Sequence, residues 1–480
     1  MPSFSKKIFS GTLPLLISKY LTSAIFIIFL AEIARVLGPN TQGIFLLVTS
    51  TLIPLVVTIS SFGLDQYLIR EISKKIPDSK NLITNITILK IFASIFSYII
   101  LYILFICIPL SENVKFLTWI AIPFSLFSVL SDMFEDLLQA HQRFSLIALI
   151  SILQKSILTV GGIVLISLNM SIQEIIYLFV FSSFFRFVLN FIFTFNYYQR
   201  APVRIDCNIM VESIKTSSPL FLSILFGTIY YYVDYIMLEI FKSASSVGFY
   251  GSAVKINEFL LFTPIIFTSV VFPILTNLYK YNFEKFIDVY RKSIKLLTLI
   301  AIIIFIILDG IAIYIFPMIY PEDYIVSAYI FKILLFALPF HFCNAQFAKT
   351  IFIIGKQKYL PIFSFIVTLL NICLNLILIP RYDYYGAAIA TVLSEIAGAI
   401  AGIYLIHRFM KERYPAKEMF KPLVILALSL LFGFITGKFL FNHEWINFIL
   451  TFIYFILISL VTGSISYSEI KKSINDILGI

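Results

Sequence analysis

The most regular feature of the chain is a series of long apolar stretches separated by short polar ones. A helix needs about 20 mainly apolar residues to cross the hydrocarbon layer of a membrane, and about fourteen stretches meet this requirement. The pattern therefore predicts an all-α polytopic membrane protein. The predicted spans are 11–34, 44–64, 83–109, 116–137, 145–168, 173–197, 214–240, 250–275, 296–318, 325–348, 359–379, 386–407, 422–440 and 445–466.

The positive charges between these spans support the count and fix the orientation. With the N-terminus placed in the cytoplasm, the cytoplasmic segments hold 24 Lys and Arg residues and the external segments hold 5. Cytoplasmic loops of membrane proteins carry such an excess of cations, and a miscounted helix would reverse the assignment of all later loops. The bias persists to the end of the chain, which predicts an even number of spans with both termini in the cytoplasm.

Composition then narrows the functional class. The chain is 60% hydrophobic and 13% charged, whereas soluble domains are about 45–50% apolar and about 25% charged. This excludes a soluble enzyme, a disordered chain and a secreted disulfide scaffold. The net charge of +10 lies mostly in the cytoplasmic segments, so no nucleic-acid partner is expected. The four cysteines and four histidines are scattered, and the loops are too short for a soluble catalytic domain, so neither a metal, a cofactor nor an enzyme is expected.

Short motifs recur between the two halves of the chain. Pro14, Leu15, Ser18 and Gly43 return at an offset of 205 residues as Pro219, Leu220, Ser223 and Gly248. The segment after the fourth span also matches the one after the tenth, at an offset of 215. The repeat predicts six-helix bundles at 1–205 and 206–415 around a central cavity, followed by two additional spans and a short cytoplasmic tail at 416–480. Two parallel repeats of this kind suit alternating access.

Four of the cations within the predicted spans lie in the first half: Lys19, Lys90, Lys155 and Arg186. An ionisable group in hydrocarbon is costly unless it is paired or hydrated, so such residues cluster at transport pathways. One interpretation is an aqueous cavity whose cations bind the phosphate oxygens of an anionic head group. The other is pairing with the acids Asp132, Glu135 and Asp136, or snorkelling of the long side chains to the membrane surface.

The second half offers candidates for ion coupling or gating, with Na⁺ or H⁺ as the coupling ion: Asp234, Lys255, Glu258 and Glu395. Lys255 and Glu258 are three residues apart on one helix, so they can pair. A purely structural cluster of Asp234, Lys255 and Glu258 is the alternative. Glu395 lies among small residues and can instead be hydrogen-bonded between close-packed helices.

Longer motifs are spread over the whole chain. They are GPNTQGIFLL from Gly38, SSFGLDQYLIREI with Gly63, Arg70 and Glu71, VDYIMLEIF with Asp234, VGFYGSAVKINEF with Gly248, Lys255 and Glu258, and NICLNLILIPRYDYYGAAIATVLSE with Asn371, Asn375 and Glu395. These motifs resemble the polysaccharide-transporter proteins, the Wzx-type oligosaccharide flippases of the multidrug/oligosaccharidyl-lipid/polysaccharide exporter superfamily. In that family the matching residues are mostly fold markers, so the resemblance does not by itself assign a substrate site.

The resemblance implies movement of a polyprenyl-(pyro)phosphate-linked oligosaccharide from the cytoplasmic to the outer leaflet of the cytoplasmic (inner) membrane, by ion-coupled alternating access. The implied partners are this lipid-linked oligosaccharide, membrane lipid and other polysaccharide-assembly proteins. Sugars and pyrophosphate cannot cross hydrocarbon unaided, because their polar groups would lose their hydrogen bonds. No bond is made or broken in such a step, so no nucleophile or general base is needed.

Three other functions are alternatives to this one. A cation-coupled multidrug antiporter would use Asp234 and Glu258 for coupling, but the cations of the first half disfavour a cavity for cationic drugs. A lipid II-type flippase would share the mechanism and differ in substrate. A membrane polymerase or glycosyltransferase would be expected to carry a sizeable external loop or an acidic loop motif, and the sequence has neither.

Overall fold

The computed structural model describes residues 4–74, 79–198, 205–410, 416–440 and 444–462. Within these ranges the regular structure is helical, because a helix satisfies its own backbone hydrogen bonds where a membrane offers no water. The predicted C-terminal tail lies largely beyond residue 462, outside the described residues. The helices are α1 (Phe4–Leu46), α2 (Ile53–Ser61), α3 (Leu64–Ser73), α4 (Ser79–Cys107), α5 (Glu112–Ala140), α6 (Phe144–Ser167), α7 (Ile172–Tyr198), α8 (Cys207–Phe241), α9 (Ala244–Leu260), α10 (Phe262–Tyr281), α11 (Phe283–Ile319), α12 (Ile325–Leu335), α13 (Leu338–Ile353), α14 (Leu360–Met410), α15 (Ala416–Leu440) and α16 (Glu444–Val461).

The helices have the length and apolarity of membrane spans. In the described part of the chain, nine helical segments are long and apolar enough to cross a membrane. A bent pair, Glu322–Leu335 with Leu338–Ile353, makes up to ten. This count is lower than the predicted fourteen partly because two segments, Leu13–Ser61 with 49 residues and Gln357–Met410 with 54, each cover two predicted spans.

Both of these long segments contain a break in the helical backbone. Gly38 has φ 77° in the first segment and precedes Pro39, and Asp383 has φ 54° in the second. Positive φ values interrupt a right-handed helix. Close to the second break, a Cβ on Gly386 would lie 2.4 Å from the carbonyl oxygen of Leu378, so only a glycine fits that turn.

The chain divides into two compact units, Met1–Ser252 with Ser364–Ala387 and Ala253–Phe363 with Ala388–Ile480. The first unit includes α8 because that helix packs against the helices before it. The rings of Phe62 and Phe221 stack with centroids 4.2 Å apart. The division of the chain at 205/206 and 415/416 that the repeat predicts stays a prediction.

In the first unit, two glycines related by the sequence repeat lie against each other. A Cβ on Gly43 would stand 1.7 Å from the carbonyl oxygen of Ala244, and a Cβ on Gly248 would stand 2.3 Å from that of Pro39. The two backbones can therefore approach this closely only where neither residue has a side chain. The glycine of each motif copy thus makes room for the backbone of the other copy.

The second unit is built around α11 and α13. Its buried core contains Leu275, Phe286, Tyr290 and Phe347, and it extends to Ile406 of α14. Where α13 meets α14, a Cβ on Gly402 would lie 2.5 Å from the ring of Phe347. This close packing fixes the relative position of the polar residues on α13 and α14.

We expect Gly43→Ala to destabilise the folded protein, because its methyl group would push the backbones of α1 and α9 apart. Gly227→Ala on α8 is the matched control, since no atom lies within 4 Å of the added Cβ and alanine favours a helix. Thermal unfolding in detergent should show a lower midpoint for Gly43→Ala alone. Equal midpoints for both variants would contradict the described contact.

Candidate functional site

Five intramembrane charges of the first half and Asp65 at the start of α3 form one group, here called the N-terminal ionic cluster: Asp65, Lys90, Asp132, Glu135, Asp136 and Arg186. Helix α5 supplies three of its acids. Asp132, Glu135 and Asp136 are spaced by three and four residues, so they project from one face of the helix. That face meets α4 and α7, and it also meets α3.

Arg186 of α7 is held by two of these acids. A guanidinium nitrogen lies 2.7 Å from a carboxylate oxygen of Asp132, and the same nitrogen donates a hydrogen bond to Glu135. The Arg186 side chain is 13% exposed, whereas Asp132 and Glu135 are exposed to 29% and 23%. Arg186 is therefore paired with acids of α5, which is the second of the two interpretations of the sequence.

Lys90 of α4 is completely buried, and its ammonium group pairs with Asp65 at the start of α3. A second carboxylate oxygen, from Asp136, lies 3.9 Å away. A buried ammonium group needs such partners because it has lost its hydration. With all groups ionised, the cluster holds four carboxylates and two cations. Its net charge is therefore negative, whereas one interpretation of the sequence was a cationic site.

The other two cations of the first half have a different environment. Lys19 of α1 is exposed. The ammonium nitrogen of Lys155, on α6, lies 4.0 Å from the centroid of the Phe26 ring. Lys19 and Phe26 are seven residues apart on α1, so they share a helix face. The structure thus places Lys19 and Lys155 on the packed pair of helices α1 and α6.

Asp234 of α8 is buried and is held by neutral donors. The hydroxyl of Tyr250 donates to one of its oxygens at 2.6 Å, and the side-chain amide of Asn375 donates to the other. Asn375 also donates to Asn371 at 3.0 Å. Tyr250 and Asn375, which belong to two different resemblance motifs, therefore reach the carboxylate of a third motif.

Lys255 and Glu258 pair within α9, at 2.8 and 3.0 Å from the ammonium nitrogen to the two carboxylate oxygens. This is the pairing that their spacing predicts. The Lys255 side chain is 9% exposed and that of Glu258 is 24% exposed. Glu258 consequently compensates the charge of Lys255 within the same helix.

Glu395 of α14 contacts two residues of α13. His341 places its Nδ1 atom 3.0 Å from one carboxylate oxygen, and the side-chain amide of Asn344 donates to the other at 2.8 Å. Glu395 is almost buried, whereas His341 is about a third exposed. Both carboxylate oxygens thus have a partner from the same neighbouring helix.

Two carboxylates of the resemblance motifs, Asp65 and Glu71, lie on α3, outside the candidate spans. Glu71 of α3 accepts hydrogen bonds from Lys74, at 2.8 and 2.9 Å, and from Arg70 at 2.8 Å. Burial by itself raises the pKa of this carboxyl, but the two hydrogen-bonded cations outweigh it and lower the pKa of Glu71 below its ordinary value.

Several of these partners were not identified from the sequence. Asp65, Tyr250, Asn375, His341 and Asn344 each contact a charged group that the sequence analysis singled out. His341 and Asn344 could have been found from the sequence, because they are polar residues one helical turn apart in a largely apolar stretch. Across the described residues, no three His, Cys, Asp or Glu side chains come together to hold a metal ion.

Comparison with known proteins identifies the family to which the chain is similar. A family model described as "Polysaccharide biosynthesis protein" matches residues 8–279, more than half of the chain. The lipid II flippase MurJ of Thermosipho africanus is 28% identical over 151 residues, which are 32% of this chain and 30% of that protein. The match thus spans less than a third of the length of this curated relative.

Solved structures share the fold. A lipid II flippase MurJ in an inward closed conformation has a TM-score of 0.74 at 17% identity, over 94% of this chain and 98% of that one. An inward-facing multidrug resistance MATE family transporter of the MOP superfamily has 0.64 at 14% identity, over 82% and 96%. A MOP superfamily transporter from Pyrococcus furiosus has 0.60 at 14% identity, over 85% and 97%. The chain therefore has a MurJ- and MATE-like fold, and these relatives are flippases and transporters, not enzymes.

We expect Arg186→Gln to destabilise the protein by about 1–3 kcal/mol, because it leaves Asp132 and Glu135 without their cation. A triple variant that also carries Asp132→Asn and Glu135→Gln removes the uncompensated charges and should recover most of the loss. Thermal unfolding in detergent measures both effects. A single variant as stable as the unmodified protein, or a triple variant no better than the single one, would contradict this account of the cluster.

Proposed function

Because the chain belongs to the polysaccharide biosynthesis protein family, we propose that it moves a polyprenyl-(pyro)phosphate-linked oligosaccharide across the cytoplasmic membrane, from the inner to the outer leaflet. The family match over residues 8–279 is the observation that carries this proposal. The MurJ- and MATE-like fold supports it, since a substrate with a lipid tail and a polar head suits a helical transporter. Other proteins of polysaccharide assembly are proposed partners.

The proposed topology has about fourteen spans with both termini in the cytoplasm. The breaks at Gly38 and Asp383 support a division of the two longest segments into two spans each. The bent pair of α12 and α13 counts as one span, and α15 and α16 supply the last two. The excess of Lys and Arg in the predicted cytoplasmic segments sets the orientation.

The chemistry of the cargo explains why a protein is needed. The sugar hydroxyls and the phosphate oxygens would lose their hydrogen bonds with water in hydrocarbon, whereas the polyprenyl tail is already in its preferred environment. The protein therefore has to supply polar contacts to the head group alone. We propose alternating access for this step, because parallel repeats can rock against each other around a fixed site.

Lys19 and Lys155 are the cations we propose for direct contact with the phosphate groups. Lys19 is exposed, and the ammonium nitrogen of Lys155 lies 4.0 Å from the centroid of the Phe26 ring on the helix that carries Lys19. Arg186 and Lys90 remain part of the proposed head-group site in a second role. Since both are held by acids of the N-terminal ionic cluster, a phosphate would have to replace a carboxylate there.

We propose that the step is coupled to a gradient of H⁺ or Na⁺ through acidic groups of the second half. Asp234 is buried and accepts hydrogen bonds from the Tyr250 hydroxyl and the Asn375 amide, and we propose that it binds the coupling proton or cation. Lys255 and Glu258 form a pair that can exchange partners, which suits a gating role. Glu395 is nearly buried beside a titratable histidine.

A lipid II-type flippase is the second candidate function. It is favoured by the match to a MurJ protein over 151 residues and by the TM-score of 0.74 with a MurJ structure. The two candidates differ in cargo and not in the type of movement. Complementation of cells depleted of their lipid II flippase distinguishes them, because only a lipid II-type protein should restore growth.

Leaflet-resolved labelling of the lipid-linked oligosaccharide in cells lacking the protein tests the proposed function. The account predicts that the oligosaccharide accumulates in the cytoplasmic leaflet and that surface glycan is lost, because no other route moves the head group. Plasmid-borne protein should reverse both changes. An unchanged distribution between the leaflets in the deleted strain would count against the proposal.

Replacement of both Lys19 and Lys155 by alanine should strongly reduce surface glycan at unchanged protein level, since two phosphate-binding charges are lost together. Quantitative blotting of the protein and of the glycan measures both. Lys285→Ala, an exposed lysine at the start of α11, is the control for loss of charge and should leave glycan display intact. Normal display in the double variant would exclude these lysines from the head-group site.

A further inference from the structure

We propose that His341, Glu395 and Asn344 form a proton-binding site, and that H⁺ bound there is the ion coupled to transport. The inference rests on the proposed transport function and assigns the coupling ion and its residues. The site lies within the second unit, between α13 and α14. It brings a titratable histidine and a nearly buried carboxylate into direct contact.

The positions of the three groups follow from the ends and spacing of their helices. Helix α13 begins at Leu338, after a 48° bend from α12. His341 lies in its first turn and Asn344 lies one turn later, so both point to the same side. On α14, a Cβ on Gly398 would lie 3.0 Å from the Asn344 amide nitrogen, and the absence of a side chain lets that amide reach Glu395.

The hydrogen bonds determine which atom can take the proton. The Asn344 amide donates both to the Glu395 carboxylate at 2.8 Å and to its backbone carbonyl at 3.1 Å. The His341 Nδ1 atom faces the remaining carboxylate oxygen at 3.0 Å. A neutral ring with its hydrogen on Nδ1 donates to that oxygen, so Nε2 is free to accept the incoming proton.

Burial explains why the proton changes the energy of the site. With a neutral histidine, the group carries one negative charge on a carboxylate that is 9% exposed. Protonation at Nε2 turns the group into an ion pair with no net charge, which is less costly in an apolar surrounding. The His341 side chain is 30% exposed, so it can exchange the proton although the carboxylate is nearly enclosed.

Neighbouring charges have other partners, and Glu395 is the charged group that acts on His341. Helix α10 carries no Asp, Glu, Lys, Arg or His before Lys280 near its end. Other titratable groups of α11, α12 and α13 contact one another or other side chains: Asp309 lies 3.6 Å from Lys332, the ammonium nitrogen of Lys349 lies 5.7 Å from the centroid of the Phe272 ring, and the thiol of Cys343 lies 3.3 Å from the hydroxyl of Thr298.

A further acceptor lies at the same place. The Asn344 side-chain oxygen is buried and has no hydrogen-bond partner in the described part of the chain. Its amide nitrogen is fixed by the two bonds to Glu395, so the oxygen cannot exchange places with it. A proton site is favoured over a metal site because the site offers only one imidazole and one carboxylate as its ionisable ligands. Histidine is also the side chain that titrates near neutral pH.

The test uses the full-length purified protein in liposomes that contain a fluorescent polyprenyl-pyrophosphate-linked oligosaccharide and a membrane-impermeant quencher outside. The readout is the ratio of the flipping rate with an imposed pH gradient to the rate without one. The ratio should be about fivefold or more for the unmodified protein, which is a common size of coupling between two sites. It should fall to about one in His341→Gln and in Glu395→Gln.

The variant His407→Gln is the matched control, because it removes an exposed histidine of α14 that is not part of the site. Its ratio should equal that of the unmodified protein. If His341→Gln does not fold, the ratio of Glu395→Gln decides. A retained ratio in these variants, or acceleration by a Na⁺ gradient with no effect of pH, would overturn the proton site. Absence of flipping by the unmodified protein under all conditions would instead refute the proposed function.

Discussion

A buried ionic group in an apolar membrane protein is costly unless it is compensated, and the buried cations of the first unit are arranged to meet that constraint. Lys90 is completely buried, and the cost of enclosing its ammonium group is offset by Asp65, with Asp136 3.9 Å away. Arg186 satisfies the same requirement through acids of α5. Because these partners come from α3, α4, α5 and α7, compensation of charge also fixes how the helices of the first unit pack.

Sequence reasoning recovered most of the helices because long apolar runs are a strong signal of membrane spans. It also gave the pairing of Lys255 with Glu258, since residues three apart on a helix are neighbours. It did not find Asp65 as the partner of Lys90, because that contact joins residues 25 positions apart on two different helices, α3 and α4. Contacts such as Asn375 with Asp234 depend on which faces of distant helices meet, which a single sequence does not specify.

The charged groups of this chain are compensated in two ways, by opposite charges or by neutral and titratable donors, and the difference bears on the proposed function. The N-terminal ionic cluster pairs cations with carboxylates, so its members are held firmly and their loss should affect stability. Asp234 is instead held by a hydroxyl and an amide, and Glu395 by a histidine and an amide. Carboxylates in such surroundings suit the proposed ion coupling, in which they would bind and release a proton or a cation.

The central proposal is that the protein moves a lipid-linked oligosaccharide between leaflets. The most direct test is the distribution of this oligosaccharide between the leaflets in a purified system. Liposomes prepared with the lipid-linked oligosaccharide in both leaflets are treated with an oligosaccharide-cleaving enzyme that cannot enter them. Without the protein, about half of the glycan should be cleaved, because hydrocarbon blocks the polar head group. With the protein reconstituted, nearly all of it should become accessible. A cleaved fraction that stays the same with and without the protein would contradict the account.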